Sequence, residues 1–327
     1  MAPLRMIIDT DGGIDDASAL WWALESPDVD LVGVTTVHGN IDSVTAAANV
    51  CRILEAAGRP DVPVAVGADE AFAEAPEMRP ADFIHGADGI GETGRPPAGH
   101  GPVDESADEL LARLVAESPE PLTLVTIGPL TNIAHRVTAD PAWAARIDRL
   151  VIMGGSVSMP GNAKPGAEAN IAHDPAAAAV VVPADWARPP LMVGLDVTHV
   201  GTFTDAEFAL AEQGRTRAAR YLAEPLAFYR RFGGTFCEPG ECPQHDLLAV
   251  MAAVIPGLVQ GPVLPVAVQD TPGPAWGVVV VDRRVPFFER AGSGSAQPVT
   301  DGFSPWELGL EVDIERFRAE VRRLFGG

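Results

Sequence analysis

The sequence predicts an α/β fold, with a single-domain open sheet of mostly parallel strands flanked by helices. Short apolar runs alternate with stretches that place apolar residues at helical spacing, and this alternation is typical of βαβ units. Hydrophobic residues make up 47% of the 327 residues, so the chain can bury a large core. Neither an internal repeat nor a low-complexity linker divides the sequence, and we therefore expect one domain over residues 1–327.

The first elements follow a strand–loop–helix pattern that occurs twice. Residues 4–8 are a short apolar strand, and an acidic loop separates them from a helix at residues 17–24. Residues 30–37 are rich in β-branched side chains and predict a second strand, which a polar loop connects to a helix at residues 43–57. Ligands of parallel sheets bind at the carboxyl ends of the strands, so we expect the functional site in the loops that follow them.

The rest of the chain continues the alternation. Further strands are predicted at residues 62–66, 122–127, 150–153 and 191–193, and further helices at residues 104–117, 245–254 and 313–325. Residues 203–232 are predicted to be mainly helical, with a break at residues 233–243. The long segments 68–102 and 156–173 are rich in glycine, proline or asparagine, and loops of this length in a compact domain are often functional.

Composition excludes several classes of partner. The formal net charge is −22, from 45 acidic and 23 basic residues, so a nucleic-acid polymer or an anionic membrane would be repelled. No apolar run approaches the roughly 20 residues that a membrane helix needs. Cys51, Cys237 and Cys242 provide no disulfide framework, which predicts a cytoplasmic protein. A zinc pair of Cys237 and Cys242 would lack a second pair of ligands, so we expect them to be loop thiols.

The most informative segment is the run Asp-Thr-Asp-Gly-Gly-Ile-Asp-Asp at residues 9–16, directly after the first strand. Carboxylates concentrated at one strand end repel each other, and a bound cation is the natural counter-charge. Carboxylate oxygens suit calcium or magnesium, whereas the lack of neighbouring Cys or His ligands disfavours zinc and copper. Gly12 and Gly13 let the backbone approach an ion closely. The run therefore predicts a divalent-metal site.

Two known acidic motifs match this run incompletely. An EF-hand loop would need Asp or Asn in place of Gly13 and Glu in place of Leu20, so that interpretation fails. The haloacid dehalogenase-like phosphatases carry Asp-x-Asp-Gly-Thr, which residues 9–12 match and Gly13 does not. The doublet Asp15-Asp16 is also not part of that phosphatase motif.

The complete pattern Asp-Thr-Asp-x-Gly-x-Asp-Asp instead resembles the first signature of the inosine-uridine-type nucleoside N-ribohydrolases. The resemblance covers nearly the whole chain through an ordered set of further motifs, namely His38-Gly39-Asn40, the His-Gly-x-Asp-Gly loop within residues 83–89, residues 127–132, residues 152–155, the spaced residues Asn162, Glu168 and Asn170, and His245-Asp246. It implies a Rossmann-like α/β domain and calcium-dependent hydrolysis of the N-glycosidic bond of ribonucleosides, which frees base and ribose for purine and pyrimidine salvage.

The resemblance also implies roles for individual residues. Asp11, Asp16, the backbone carbonyl of Ile127 and Asp246 would hold Ca²⁺, and all of them are the oxygen donors that calcium prefers. Asp11 would in addition act as general base toward the attacking water. His245, whose ordinary pKa of about 6.5 lies near working pH, would protonate the leaving base. Asp9 is expected to support the loop from behind.

Further residues are implied to bind the substrate, a small-molecule ribonucleoside. The predicted sugar contacts are Asp15, Asn40, Met153, Asn162, Glu168 and Asn170, and the predicted base contact is His85 on a mobile loop. The aromatic residues Phe228, Tyr229, Phe232 and Phe236 stand at helical spacing, so core packing is the default expectation for them. No tryptophan neighbours His85 or His245, which favours the broad inosine-uridine type over a purine-stacking type.

Two other functions stay open on the sequence. One is a related protein that binds a nucleoside or ribosyl ligand without turnover, and the other is the phosphatase. A binder has no need of a water-activating base, so the intact Asp11, Asp15, Asp16 and His245 favour the hydrolase. By resemblance, the assembly is expected to be a homodimer or homotetramer.

Overall fold

The computed structural model describes residues 2–78, 81–232, 238–284 and 301–326. Its strands are, in chain order, β1 Leu4–Thr10, β2 Val29–Thr36, β3 Val64–Val66, β4 Leu122–Thr126, β5 Ile147–Met153, β6 Leu191–Val193, β7 Thr202–Phe203, β8 Cys242–Pro243, β9 Val259–Gln260, β10 Val263–Val268, β11 Val279–Val281, β12 Ser304–Leu308 and β13 Glu311–Val312. Its α-helices are α1 Ile14–Glu25, α2 Ser43–Ala57, α3 Asp82–His85, α4 Ala107–Glu117, α5 Thr131–Ala139, α6 Ala169–His173, α7 Pro175–Val181, α8 Leu195–Thr198, α9 Asp205–Gln213, α10 Arg217–Tyr229, α11 His245–Val254 and α12 Ile314–Gly326.

Nine strands form one sheet in the order β11-β10-β12-β6-β5-β4-β1-β2-β3. The seven strands from β12 to β3 pair in parallel, whereas β10 is antiparallel to both β11 and β12. The chain leaves β1 toward β2 and β3 on one side and later adds β4, β5 and β6 on the other. This reversal creates a crevice at the carboxyl ends of β1 and β4, where open α/β sheets bind their ligands.

Helices cover both faces of the sheet. Met6 and Ile8 of β1 belong to a buried cluster that includes α1, α2, α10, α11 and α12, whereas Ile7 belongs to a second cluster with α4, α5 and α7. A central strand that is buried on both faces needs a continuous apolar run rather than alternation, which explains the sequence of β1. The predicted α/β fold with a mostly parallel sheet is confirmed.

Several element boundaries differ from the prediction. Helix α1 begins at Ile14, three residues before the predicted start, so Asp15 and Asp16 lie in its first turn, where the helix dipole favours negative charge. The antiparallel strands β10 and β12 were not predicted because Pro265 and Pro305 interrupt their apolar pattern. The two long predicted loops each contain a short helix, α3 and α6.

Two residues named in the sequence analysis, Phe236 and Cys237, lie outside the described ranges. Cys51 and Cys242 are both buried. Among the described residues, every helix is too short or too polar to span a lipid bilayer.

Candidate active site

The turn between β1 and α1 is organised by Asp16. Its carboxylate accepts hydrogen bonds from the Thr10 hydroxyl, from the Gly12 amide at 3.3 Å and from the Gly13 amide at 2.7 Å. Gly12 has a φ of +77°, and a Cβ there would lie 2.7 Å from the Cβ of Ala46, so the turn requires glycine at this position. Asp16 therefore both caps α1 and fixes the path of the acidic loop.

Asp11 is held by the loop that follows β2. The backbone amide of Asn40 donates to Asp11 Oδ2 and its side-chain amide donates to Oδ1, both at 2.9 Å. Gly39 passes so close that a Cβ there would lie 2.1 Å from Asp11 Oδ2. The motif His38-Gly39-Asn40 thus fixes both oxygens of the predicted general base.

Three buried carboxylates converge at the start of α1 and α11, two helices that pack side by side. Single oxygens of Asp15, Asp16 and Asp246 all lie within 4.8 Å of one another. Asp15 and Asp16 stand in the first turn of α1, and Asp246 stands in the first turn of α11. Sequence positions far apart along the chain therefore form one acidic cluster.

Burial and mutual repulsion raise the pKa values of Asp15 and Asp246 in this cluster, and of Asp11 beside it. Burial, followed by the charge of Asp16, raises the pKa of Asp15 from 3.8 to about 7. Burial and the neighbouring aspartates also raise the pKa of Asp11 and of Asp246 well above the ordinary value. A divalent cation would remove this penalty, and an all-oxygen donor set fits calcium or magnesium. The cluster includes Asp15, which was predicted as a ribose contact, beside the predicted ligands Asp16 and Asp246.

Asn170 bridges Ile127, which follows β4, and Met153, which ends β5. Its side-chain nitrogen lies 3.1 Å from the carbonyl oxygen of Met153 and 3.4 Å from that of Ile127. The same nitrogen lies 3.3 Å from the sulfur of Met153. Asn170 therefore sets the position of the Ile127 carbonyl, which was predicted as a metal ligand.

Glu168 caps helix α6 from a buried position. It accepts hydrogen bonds from the amides of Asn170 at 2.8 Å, Gly155 at 2.9 Å and Ile171 at 3.2 Å. Burial raises the pKa of Glu168 from 4.5 to about 7, although these amides oppose the shift. Asn162 accepts from the amide of Ala169 at 2.9 Å, so the segment between them folds back on α6.

A small cavity of about 70 Å³ opens at this edge of the sheet. Its lining residues are Asp15, Asn40, Ile127, Met153, Asn162, Glu168, Ala169, Asn170, His245 and Asp246. All of them except Ala169 were predicted from the sequence as site residues. Asp11 and Asp16 lie behind this lining, beside Asn40 and Asp15.

His85 is the buried last residue of α3. Its Nδ1 accepts a hydrogen bond from the Ile14 amide at 3.0 Å, and its ring stacks on Tyr229 with centroids 5.5 Å apart. The side chain is buried and does not line the cavity. Burial lowers the pKa of His85 to about 3, so the ring is neutral. In this arrangement His85 fastens α3 to the start of α1, and its predicted contact with the base stays a prediction.

His245 lines the cavity at the start of α11 and contacts a residue that sequence reasoning missed. Its Nδ1 lies 2.7 Å from the hydroxyl oxygen of Thr198, the last residue of α8. Burial, followed by the nearby rings of His199 and His85, lowers the pKa of His245 to about 3. Thr198 follows β6 at the same sheet edge as the other site residues. Its place after a predicted strand is the one signal by which the sequence could have identified it as a site residue.

Two further buried carboxylates support the loops without lining the cavity. Asp9 accepts from the Thr35 hydroxyl and from the Asn132 side chain at 2.7 Å. Burial raises the pKa of Asp9 from 3.8 to about 7. Asp174, which sequence reasoning missed, accepts from the Thr131 hydroxyl at 2.7 Å. Both residues connect neighbouring loops at the carboxyl edge of the sheet.

Comparison with known proteins gives consistent matches over most of the chain. A family model described as inosine-uridine preferring nucleoside hydrolase matches residues 6–319. A relative from Arabidopsis thaliana, named probable uridine nucleosidase 2, is 36% identical over 297 residues, which cover 90% of each chain.

Solved structures agree with the sequence match. A plant nucleoside hydrolase, the PpNRh1 enzyme, superposes with a TM-score of 0.90 at 33% identity, covering 99% of this chain and 100% of that one. A purine-preferring ribonucleoside hydrolase from Gardnerella vaginalis superposes with a TM-score of 0.85 at 32% identity, covering 98% of both chains.

Proposed function

The chain belongs to the inosine-uridine preferring nucleoside hydrolase family and is therefore an N-glycosyl hydrolase, and we propose that it is a calcium-dependent ribonucleoside hydrolase of nucleoside salvage. The observation that carries the proposal is the polar cavity over a buried carboxylate cluster at the sheet edge. Family membership removes the phosphatase alternative.

The chain's own oxygen atoms suit a calcium ion at this position. Asp11, Asp16, Asp246 and the carbonyl of Ile127 would hold it, and the place of Asp15 within the same cluster allows it to contribute as well. All five groups are oxygen donors, and the raised pKa values of Asp11, Asp15 and Asp246 are those of carboxyls whose negative charge is uncompensated. When bound, the ion would supply positive charge that orders the sugar hydroxyls and makes water easier to deprotonate.

The sugar is expected to bind along the cavity lining. Asn40, Asn162, Glu168 and Asn170 present amide and carboxylate groups there, and a small polyol needs such convergent donors and acceptors. Hydrogen bonds to the backbone hold Asn162, Glu168 and Asn170 in place before the sugar arrives. Fixed partners reduce the ordering that binding would otherwise require.

The proposed reaction is a displacement at the anomeric carbon of ribose. Asp11, oriented by Asn40, takes a proton from water while the water oxygen forms a bond to that carbon. The bond from carbon to the base nitrogen breaks through an oxocarbenium-like transition state, and its electron pair goes to the base. His245 was expected to be an acid with a pKa near working pH, but burial lowers its pKa to about 3, so we propose that the neutral ring donates a hydrogen bond from the cavity lining to the departing base.

Uridine is the first substrate to test, because the Arabidopsis relative is named a uridine nucleosidase. Inosine is the matched purine test, because the Gardnerella structure is named purine-preferring. We propose a cytoplasmic homodimer or homotetramer as the working assembly. Sedimentation velocity of the purified protein measures the number of subunits, and a monomer would contradict that part.

The experiment is a ribose-release assay on calcium-loaded protein with uridine, cytidine, inosine and guanosine. We expect hydrolysis of at least one nucleoside, its loss on chelation with EGTA, and its recovery with added calcium. Asp11→Asn should abolish turnover and still bind a ribose-like inhibitor in calorimetry. Inhibitor binding without ribose release by the unaltered protein would instead identify a ribosyl-binding protein and refute the hydrolase proposal.

A further inference from the structure

We propose that Thr198 is a positioning residue that keeps a proton on Nε2 of His245 and directs it into the cavity. This proposal rests on the proposed function, in which His245 serves the leaving base. It goes beyond that function by naming the side chain that determines which ring nitrogen faces the substrate as a donor.

The contact between the two side chains is short and partly buried. The Thr198 hydroxyl oxygen lies 2.7 Å from Nδ1 of His245, and Thr198 has no exposed surface. His245 lines the cavity, and among the described residues the one hydrogen bond of its ring is the contact of Nδ1 with Thr198. Since Nδ1 is engaged by Thr198, Nε2 is the ring nitrogen available to a ligand in the cavity.

The hydroxyl proton determines where the ring proton lies. Within the part of the chain that the structure describes, His245 is the one hydrogen-bond partner of the Thr198 hydroxyl. In a neutral ring, donation from the hydroxyl to Nδ1 gives the buried hydroxyl proton an acceptor, whereas the opposite direction would leave that proton unpaired, so the favoured arrangement has the ring proton on Nε2. In a charged ring both nitrogens carry protons, so Nε2 is a donor in either state. Thr198 thus disfavours the tautomer whose cavity-facing nitrogen could only accept.

Helix α8 is anchored to the same backbone that holds the sugar-binding carboxylate. The Leu195 amide donates to the Gly155 carbonyl at 2.9 Å, and the Gly155 amide donates to Glu168 at 2.9 Å. The Thr198 amide in turn donates to the Gly194 carbonyl at 3.1 Å. One continuous chain of hydrogen bonds therefore fixes the donor nitrogen of His245 relative to Glu168.

Replacing Thr198 by the isosteric valine removes this control while keeping the shape of the side chain. Nδ1 loses its partner, the ring can adopt either tautomer, and the base loses its oriented donor. We expect kcat for uridine to fall about 10- to 100-fold, part of the roughly 10²–10⁴-fold that a general acid contributes. KM should change less than about threefold, because the contacts of Glu168 and Asn170 with the backbone are untouched.

A second substrate separates positioning from a merely structural role. In 4-nitrophenyl riboside the aglycone leaves as a stable anion and needs no proton. Thr198→Val should therefore retain most of its kcat on this riboside, and Thr198→Ser should restore uridine turnover. Equal losses on both substrates would overturn the proposal.

Thr202→Val is the matched control. It deletes another buried threonine hydroxyl four residues further along the chain, where Thr202 contacts Glu241 at 3.1 Å instead of His245. We expect near-normal activity on both substrates, and a uridine-specific loss in this variant as well would overturn the proposal.

A double-mutant cycle completes the test. In a His245→Ala background, Thr198→Val should have no further effect on uridine, because Thr198 acts through the absent ring. Additive losses would contradict the inference. Failure of the proposed function looks different, since the unaltered protein would then release no ribose from any nucleoside.

Discussion

Removal of the divalent cation should make the stability of this protein depend steeply on pH. The perturbation is treatment with EGTA, followed by measurement of the free energy of unfolding at pH 5, 6, 7 and 8. We expect the metal-free protein to lose stability as the pH rises from 5 to 7, whereas the calcium-loaded protein loses less.

The magnitude follows from the buried carboxyl groups. Burial raises the pKa of Asp15 from 3.8 to about 7, so between these values the folded chain keeps a proton that the unfolded chain has released. A raised folded pKa means that the stability is fully present below about pH 4 and is lost as the pH rises through about 7. One such group changes stability by about 1.4 kcal/mol per pH unit, or about 3 kcal/mol between pH 5 and pH 7.

Asp9 provides an internal control for this experiment. Its pKa is also raised to about 7 by burial, but it lies outside the carboxylate cluster that the cation would neutralise. Asp9→Asn should therefore reduce the pH slope by about 1.4 kcal/mol per unit in the metal-free and calcium-loaded proteins alike. The difference in pH slope between the metal-free and calcium-loaded proteins, which reports the titration of Asp15 and its neighbours, should be unchanged in Asp9→Asn.

Urea denaturation followed by tryptophan fluorescence measures these free energies, and Trp21 and Trp143 are fully buried reporters. The comparison uses the same buffer series with EGTA or with excess calcium. The reasoning is refuted if metal-free and calcium-loaded proteins show the same pH dependence between pH 5 and pH 7.

Three further perturbations test individual contacts. Asp174→Ala should destabilise the fold by about 3–5 kcal/mol in urea denaturation, because the amide of Phe72 and the hydroxyl of Thr131 lose a buried charged acceptor and α7 loses its cap. Glu168→Ala should raise KM for uridine at least about tenfold, roughly 1.4 kcal/mol of binding, with a smaller effect on kcat. His85→Ala should expose the first-turn amide of α1 and accelerate its hydrogen exchange about tenfold or more, because that amide loses its acceptor.

For each of these three variants, a different result would contradict the contact being tested. Asp174→Ala with unchanged urea stability would mean that its three hydrogen bonds do not persist in solution. A KM for Glu168→Ala equal to that of the unaltered protein would remove Glu168 from the sugar site. If the Ile14 amide of His85→Ala still exchanged slowly with solvent, the hydrogen bond to His85 would not be what protects that amide.

Much of the site was predictable because most of its residues belong to short local sequence motifs. The run at residues 9–16 follows an apolar strand, and that position alone predicts acidic side chains at a sheet edge. The spacing of Asn162, Glu168 and Asn170 likewise predicted residues that line one cavity. Strand β6 was predicted with its bounds, yet Thr198 just beyond it was overlooked, because a single threonine has no pattern around it.

The antiparallel edge of the sheet was not predictable for a related reason. Pro265 and Pro305 lie within β10 and β12, and proline removes the apolar continuity and the amide donor by which a strand is recognised. Tertiary pairing of these segments with each other and with β6 overrides that local signal. The start of α1 was placed too late because an acidic first turn is indistinguishable by pattern from a loop.

The sequence by itself determined the fold class, the family resemblance and, through that resemblance, the identities of all the residues that line the cavity except Ala169. Only the tertiary structure decided which of them meet. It placed Asp15 with Asp16 and Asp246, turned His85 onto the amide of Ile14, and brought Thr198 to the ring of His245. The physical reason is that parallel strands carry distant loops to one edge, so contacts there depend on strand order and helix packing rather than on neighbours in the chain.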